Sequence, residues 1–263
     1  MLIKTKKEAS EIAGTLSFPS KMPGFGYGLP AAGGDFVPEI CARYGWDVPS
    51  TFGCPIGGIL AKLEGSTCYG CYANGRGNYT YPSVQIAQTK RVVGVHKPEW
   101  VDAMVYLIEK HFDRLFAEHL EEEIDFFFCN EHRMPTRTET LELEKLAKHN
   151  SAFFRWHDSG DVLGMWHLHK IFEVCNRTPY LKHWLPTRET TVVLKSTRET
   201  PDNLLIRHSA QKVDGPLPRR VEYMSAVTVG DEWDCHAPEN NNECGSCRKC
   251  WEPVKLVTYP LHL

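Results

Sequence analysis

The sequence predicts an α/β fold, an open or partial parallel barrel followed by a cysteine-rich segment. Beyond residue 150, short strand-like runs alternate with helical segments, an order typical of parallel βαβ units with right-handed crossovers. Five or six candidate strands are recognisable, which is fewer than the eight of a closed barrel. The chain has 263 residues, of which 42% are hydrophobic and 24% charged, so it is long enough to bury a sizeable core.

The chain divides into three predicted segments. Residues 1–50 are predicted to form an N-terminal arm or hairpin, because the run from Pro23 to Gly34 is dense in turn-forming residues. Residues 51–230 are predicted to form the partial barrel and to carry a first cysteine cluster. Residues 231–263 are predicted to form a C-terminal segment that binds a metal cluster.

The first half of the barrel is predicted to be mainly helical. Apolar residues recur at helical spacing in residues 36–44, 82–120 and 138–149. Residues 121–123 are all acidic, and we expect them to end the second of these stretches on a solvated face. Residues 124–128 form a short apolar run, which we interpret as a buried strand.

The second half repeats a strand, a polar loop and a helix. A strand at residues 152–156 leads into the polar run 157–161, where Asp161 is predicted to cap the following helix. That helix is amphipathic. Its predicted inward face consists of Val162, Met165, Trp166, His169, Phe172 and Val174. A second strand and polar loop follow at residues 183–189, and further strands are predicted at 203–208 and 221–229.

Polar residues follow the predicted strands, and in parallel sheets such residues gather at the carboxyl edge. The residues predicted to be catalytic are His157, Asp158 and Asp161. Those predicted to bind a cofactor are Ser159, Arg188 and His208, and Thr187, Glu189 and Arg207 are expected at the same edge. Such donors and acceptors suit a small molecule with a ribose, an amino group or a carboxylate. In the structural alternative Asp161 only caps its helix, Asp158 pairs with Arg155 or Arg188, and His157 is a core histidine.

Four cysteines lie within sixteen residues near the C-terminus: Cys235, Cys244, Cys247 and Cys250. The last three recur at every third position, which is the spacing of cysteines that bind cubane iron–sulfur clusters. Structural zinc sites instead favour two such pairs separated by a longer spacer. The tail therefore predicts a 4Fe–4S cluster, with zinc or idle reduced thiols as the alternatives.

A second group of cysteines, Cys54, Cys68 and Cys71, lies in a glycine-rich stretch, where the backbone can approach a buried object closely. Three thiolates leave a metal centre with one open position, and an open position is what makes a metal site catalytic. The alternative is a fourth ligand from Cys41, Cys129, Cys175 or a histidine, or a site merged with the tail.

Composition excludes several classes of protein. The formal net charge of -3 lacks the basic footprint of a duplex-binding protein. The N-terminus has no signal-peptide pattern and no apolar run is long enough to span a membrane. Ten cysteines in a chain without a secretion signal indicate reduced, metal-binding thiols in a cytoplasmic protein. Phosphate-loop, serine-elbow and HExxH motifs are missing from the sequence.

Three motifs resemble those of the phage gene product 88 family. They are the cysteines at 54, 68 and 71 with their flanking residues, the run Phe154–Asp161, and the tail from Cys235 to Trp251. The resemblance covers residue 50 to the C-terminus. It implies a bacteriophage protein made in the cytoplasm of the infected bacterium.

A weaker resemblance is to radical S-adenosylmethionine enzymes, in which three cysteines ahead of a partial α/β barrel hold a 4Fe–4S cluster. That resemblance implies S-adenosylmethionine as a cofactor at the open iron, and an auxiliary cluster in the tail. The chain departs from the family pattern, because thirteen residues separate Cys54 from Cys68 and Gly70 precedes Cys71. The alternatives are a non-catalytic iron–sulfur protein that binds nucleic acid or a host protein, and a structural protein held together by zinc.

Overall fold

The computed structural model describes residues 3–19, 22–31, 34–71, 73 and 77–261. The N-terminal part contains α1 (Lys6–Ala13), β1 (Phe25–Tyr27), α2 (Val37–Tyr44) and α3 (Pro55–Leu60). A helical region follows, with a 3-10 turn at Gly77–Thr80, α4 (Pro82–Val95), α5 (Trp100–Glu131) and α6 (Arg137–Ser151). The remaining elements are β2 (Phe153–Trp156), α7 (Met165–Arg177), β3 (Lys182–Thr187), α8 (Thr190–Leu194), β4 (Leu204–Ser209), β5 (Met224–Thr228) and β6 (Leu256–Pro260).

The six strands form one open sheet in the order β1-β2-β3-β4-β5-β6, and every neighbouring pair is parallel. The α/β class and the parallel sheet are therefore as predicted. All three predicted segments contribute strands to this sheet, since β1 lies before residue 50 and β6 after residue 231. Among the described residues, no helix is both long and apolar enough to cross a membrane.

The two faces of the sheet are covered differently. One face packs against α1, α4, α5 and α7 in the main core, to which the strands contribute Phe154, Trp156 and Leu185. The other face carries a smaller apolar cluster of Phe153, Trp184 and Trp251. Trp251 belongs to the cysteine-rich tail, so the tail lies on the face opposite the helices.

Four predictions about local structure were wrong. Residues 124–128 belong to α5, which continues to Glu131, and Phe126 and Phe128 are exposed rather than buried in a strand. The apolar run contains no glycine or proline, so nothing in it stops the helix. The three acidic residues at 121–123 are helical as well.

Asp161 does not cap α7, because that helix begins at Met165 and Gly164 occupies the capping position. The buried face of α7 is also rotated from the predicted one. It consists of His167, Leu168, Ile171, Phe172, Val174 and Cys175, whereas Trp166 is 40% exposed. The starting point of the periodic pattern was placed too early, and an error of one position moves the face by about 100°.

Candidate functional site

Polar residues from the ends of β2 and β3 meet around Asp161. Its carboxylate accepts hydrogen bonds from Thr187 Oγ1 at 2.6 Å, from the Arg188 amide at 2.8 Å and from the Val162 amide at 2.7 Å. Burial raises the pKa of Asp161, and these hydrogen bonds oppose the rise by stabilising the charged form. Asp161 thus joins the two loops at the carboxyl edge.

The loop that carries Cys54 is held at this edge by two contacts. The Asp161 amide donates to the Gly53 carbonyl at 2.6 Å, next to the cysteine. The buried Glu189 accepts the Ile56 amide at 2.8 Å, and burial raises the pKa of this carboxyl to about 7. The ends of β2 and β3 therefore fix the backbone on both sides of Cys54.

The loop that carries Cys68 and Cys71 is attached to the same edge through Thr67. The Thr67 hydroxyl accepts from Arg188 Nε at 3.0 Å and from Nη2 at 2.8 Å, and its amide donates to the Gln211 carbonyl at 3.0 Å. Burial raises the pKa of the Cys68 thiol, and the neighbouring Arg188 guanidinium opposes this. Arg188 thus places a positive charge beside this cysteine.

Gly57 brings two sulfur atoms of this group together. A Cβ atom at this position would overlap Cys54 Sγ and would lie 3.8 Å from Cys68 Sγ. Cys71 is near enough to raise the pKa of Cys68 electrostatically, and its amide donates to the Cys68 carbonyl at 3.0 Å. The fold therefore gathers the three predicted ligands into one group, with glycine leaving the room between them.

The tail cysteines form a second group on the other face of the sheet. Burial raises the pKa of Cys235 and of Cys244, and each is raised further by Cys247. Burial raises the pKa of Cys250 to about 11, with a smaller contribution from Cys235. The four predicted ligands are therefore close enough to interact.

Arg207 anchors this tail to the sheet. Its side chain is fully buried and donates to the carbonyls of Met224, Val254, Lys249 and Glu252 at 2.8–3.3 Å. The Trp251 indole donates to the Phe154 carbonyl at 3.1 Å. Arg207 was expected at the carboxyl edge, but alternation along β4 turns it toward the tail face and His208 toward the helix face.

The donor chemistry of both groups suits thiophilic metal. All ten cysteines are among the described residues, and none of them forms a disulfide. Cys41 and Cys175 lie in the main core and Cys129 on the exposed part of α5, so these three belong to neither group. Within the described ranges, no set of three histidine, cysteine, aspartate or glutamate side chains is arranged to hold a single metal ion.

The predicted catalytic and cofactor-binding residues divide into buried and accessible ones. His157 is buried with a positive φ of 56°, and its ring faces His167, with the two centroids 5.4 Å apart. Burial lowers the pKa of His157 to about 3, so the ring is neutral. His208 is buried against Thr190, and the Ser159 hydroxyl donates to the Leu29 carbonyl at 2.8 Å.

Asp158 and Arg188 are the two predicted residues that stay partly accessible. Asp158 leans over Gly28 at the end of β1, where a Cβ atom would collide with its Oδ1. Glu189 was expected at the carboxyl edge, but its hydrogen bond to the Cys54 loop was not, and Thr67 was not predicted as a site residue. The only signal for Thr67 in the sequence is its position directly before Cys68.

Comparison of the sequence with known proteins identifies the family of the chain. No curated protein and no solved structure matches the chain. The resemblance to radical S-adenosylmethionine enzymes gains no support from these comparisons. One family model, described as gene product 88, matches residues 1–253, a span that includes all ten cysteines. The chain therefore belongs to the gene product 88 family.

Proposed function

We propose that this protein binds iron–sulfur clusters at two sites, one at the carboxyl edge of the sheet and one in the tail. The observation that carries the proposal is that two groups of cysteines, which form no disulfides and are distant in sequence, are each gathered by the fold. The residues that would hold the first cluster are Cys54, Cys68 and Cys71. Those of the second are Cys235, Cys244, Cys247 and Cys250. The C-x2-C-x2-C spacing favours a cluster over zinc in the tail.

The contacts around the first cysteine group support a cluster site whose ligand loops are already held in place by neighbouring residues. Asp161, Arg188 and Glu189 hold the two ligand loops from one side, in the way that outer residues orient metal ligands. Three thiolates leave one position for another ligand, and the accessible Asp158 and Arg188 supply opposite charges at the same edge. A small molecule with an amino group and a carboxylate suits that pair.

A second candidate function is catalysis of the radical type. It is favoured by the sequential order of six parallel strands, with the first cysteine group on the connection that follows β1. A cluster bound at three thiolates would supply a single electron to a sulfonium ligand such as S-adenosylmethionine. The residues of this chain would bind and orient that ligand.

Membership in the gene product 88 family supports a bacteriophage origin for this protein. Ten cysteines that form no disulfide suit the reducing cytoplasm of an infected bacterium.

Metal analysis tests the main proposal. The protein is prepared under strict exclusion of oxygen, and iron, acid-labile sulfide and zinc are measured per chain. We expect iron and sulfide in similar amounts. Replacing the three cysteines of the first group with serine should lower both amounts in part, and so should replacing the four cysteines of the tail. Cys129→Ser, on the exposed part of α5, is the matched control and should change neither. A protein that contains zinc and no iron would contradict the proposal.

Electron paramagnetic resonance distinguishes catalysis from binding alone. On adding S-adenosylmethionine to the reduced protein, we expect the signal of the first cluster to change, because a ligand at the open iron alters its symmetry. The triple cysteine variant should lack that signal. An unchanged signal would favour the non-catalytic alternative, for which the salt dependence of nucleic-acid binding is the next measurement.

A further inference from the structure

Two kinds of contact reach the tail, and they serve different purposes. Arg207 and Trp251 hold its backbone on the sheet through hydrogen bonds to carbonyl groups. These hydrogen bonds involve no sulfur atom. The Arg207 charge also interacts with Cys250, so this anchor adds positive charge near the tail cysteines.

Tyr259 on β6 points directly at one cysteine. Its hydroxyl lies 3.2 Å from Cys250 Sγ, within hydrogen-bonding distance of a thiolate. A tyrosine hydroxyl ordinarily loses its proton only near about pH 10. The phenol thus keeps its proton and can donate it to a sulfur that carries negative charge.

Arg155 adds a positive charge near the same sulfur atoms. Its guanidinium lies 4.8 Å from the centre of the Trp184 ring, and one nitrogen approaches Met22 Sδ at 2.9 Å. Trp184 in turn packs against Trp251, which directly follows Cys250, with ring centroids 5.0 Å apart. The Arg155 charge interacts with Cys244 and Cys250 from that side. Arg155 lies on β2 and Tyr259 on β6, so these two groups reach the tail cysteines from different strands of the sheet.

We propose that the tail site carries electrons, and that Tyr259 and Arg155 set its reduction potential. This inference rests on the proposed function. A cluster with a purely structural role needs only a tail that is anchored to the sheet, which Arg207 and Trp251 provide. A hydrogen bond to sulfur and a nearby cation, in contrast, both stabilise a cluster that has gained an electron. Reduction takes one electron from an external one-electron donor, breaks no bond in the protein and leaves the phenolic proton on Tyr259.

The test is an anaerobic redox titration of the full chain, followed by electron paramagnetic resonance. Tyr259→Phe removes the hydroxyl and keeps the ring. We expect the equilibrium constant for reduction of the tail cluster to fall about tenfold, which is about 59 mV for one electron. Arg155→Gln should act in the same direction, and Arg155→Lys, which keeps the charge, should retain most of the potential. The variant without the first three cysteines assigns the signal to the tail.

Tyr106→Phe is the matched control. Tyr106 lies on α5, away from the tail, and its hydroxyl donates to the Lys4 carbonyl at 3.2 Å. It should leave the potential unchanged. Iron and sulfide contents equal to the parent protein establish that each variant is folded and loaded. Unchanged potentials in loaded Tyr259→Phe and Arg155→Gln proteins would overturn this inference alone. Zinc without iron in the tail of the parent protein would overturn the proposed function, and this inference with it.

Discussion

At the scale of single residues, Gly57 illustrates how the chain makes room for two cysteine side chains. It lies in α3, where alanine would be the better helix former, yet its missing side chain leaves the space between Cys54 Sγ and Cys68 Sγ. Around it, Glu189 and Asp161 fix the backbone on both sides of Cys54. The arrangement favours the geometry of the sulfur atoms over the stability of the helix.

Gly57→Ala therefore separates metal binding from folding. The methyl group would overlap Cys54 Sγ, so we expect the variant to lose most of the iron of the first site. The free energy of unfolding of the metal-free protein should stay the same or rise by up to about 1 kcal/mol, because alanine favours a helix. Iron content and urea denaturation measure the two effects. Ile59→Ala, at a position 66% exposed on the same helix, is the control and should keep its iron. Full iron in Gly57→Ala would show that Cys54 and Cys68 do not bind together.

At the scale of whole elements, α5 and α6 form a helical arm, which we define as residues 116–146. None of these residues is buried, whereas the first part of α5 is buried from Trp100 to His111. Local interactions stabilise the arm. Thr136 and Glu139 form a capping box, and Arg133 pairs with both Glu139 oxygens at 2.6 and 2.9 Å. The arm contains nine acidic and three basic side chains, so it accounts for the negative charge of the whole chain.

Shortening the arm tests its independence from the core. We expect that replacing residues 124–143 with a short glycine–serine linker changes the free energy of unfolding by no more than about 1 kcal/mol, because no buried side chain is removed. The contact between His119 and Ser151, at 2.8 Å, remains in the shortened protein. Urea denaturation and iron content are the measurements. A variant that fails to fold or loses its iron would show that the arm supports the sheet after all.

At the scale of the whole molecule, the sheet separates two cysteine groups. The first lies at the carboxyl edge, where the loops after β2, β3 and β4 meet, and the second covers the face opposite the helices. On the side of the sheet that the helices cover, several histidines are buried and neutral. Burial lowers the pKa of His157 and His183 to about 3, and that of His111 and His208 to about 4.

These histidines predict acid sensitivity. Above pH 6.5 they are neutral in both the folded and the unfolded chain, so they do not affect stability. Below pH 6.5 only the unfolded chain takes up their protons, so the free energy of unfolding falls as the pH falls toward 4. Each such histidine contributes at most about 1.4 kcal/mol per pH unit.

Urea denaturation of the metal-free protein between pH 7.5 and 4.5 measures this slope. His183→Gln keeps a partner for Thr178, which bonds His183 Nε2 at 2.9 Å, and should make the slope shallower. His132→Asn, at an exposed position after α5, should leave it unchanged. Equal slopes in all three proteins would contradict the assignment.

Much of this architecture follows from local pattern. Helices at residues 36–44, 82–120 and 138–149, and strands beginning near 153 and 204, were predictable because apolar periodicity reports which face of an element is buried. The strand β1 was missed, because three residues in a glycine-rich run are too few to show alternation. The helical state of residues 124–128 was missed because a five-residue apolar run fits either a strand or a helix.

By itself, the sequence determined the two sets of cysteines, their spacing and the α/β class, since spacing and periodicity are properties of neighbouring residues. Only the tertiary structure decided that Arg207 anchors the tail, that Tyr259 faces Cys250 and that Glu189 fixes the Cys54 loop. Each of these contacts joins residues from separate elements. Such contacts depend on the register of parallel strands and on which face each side chain takes, and a shift of one position in a strand reverses that face.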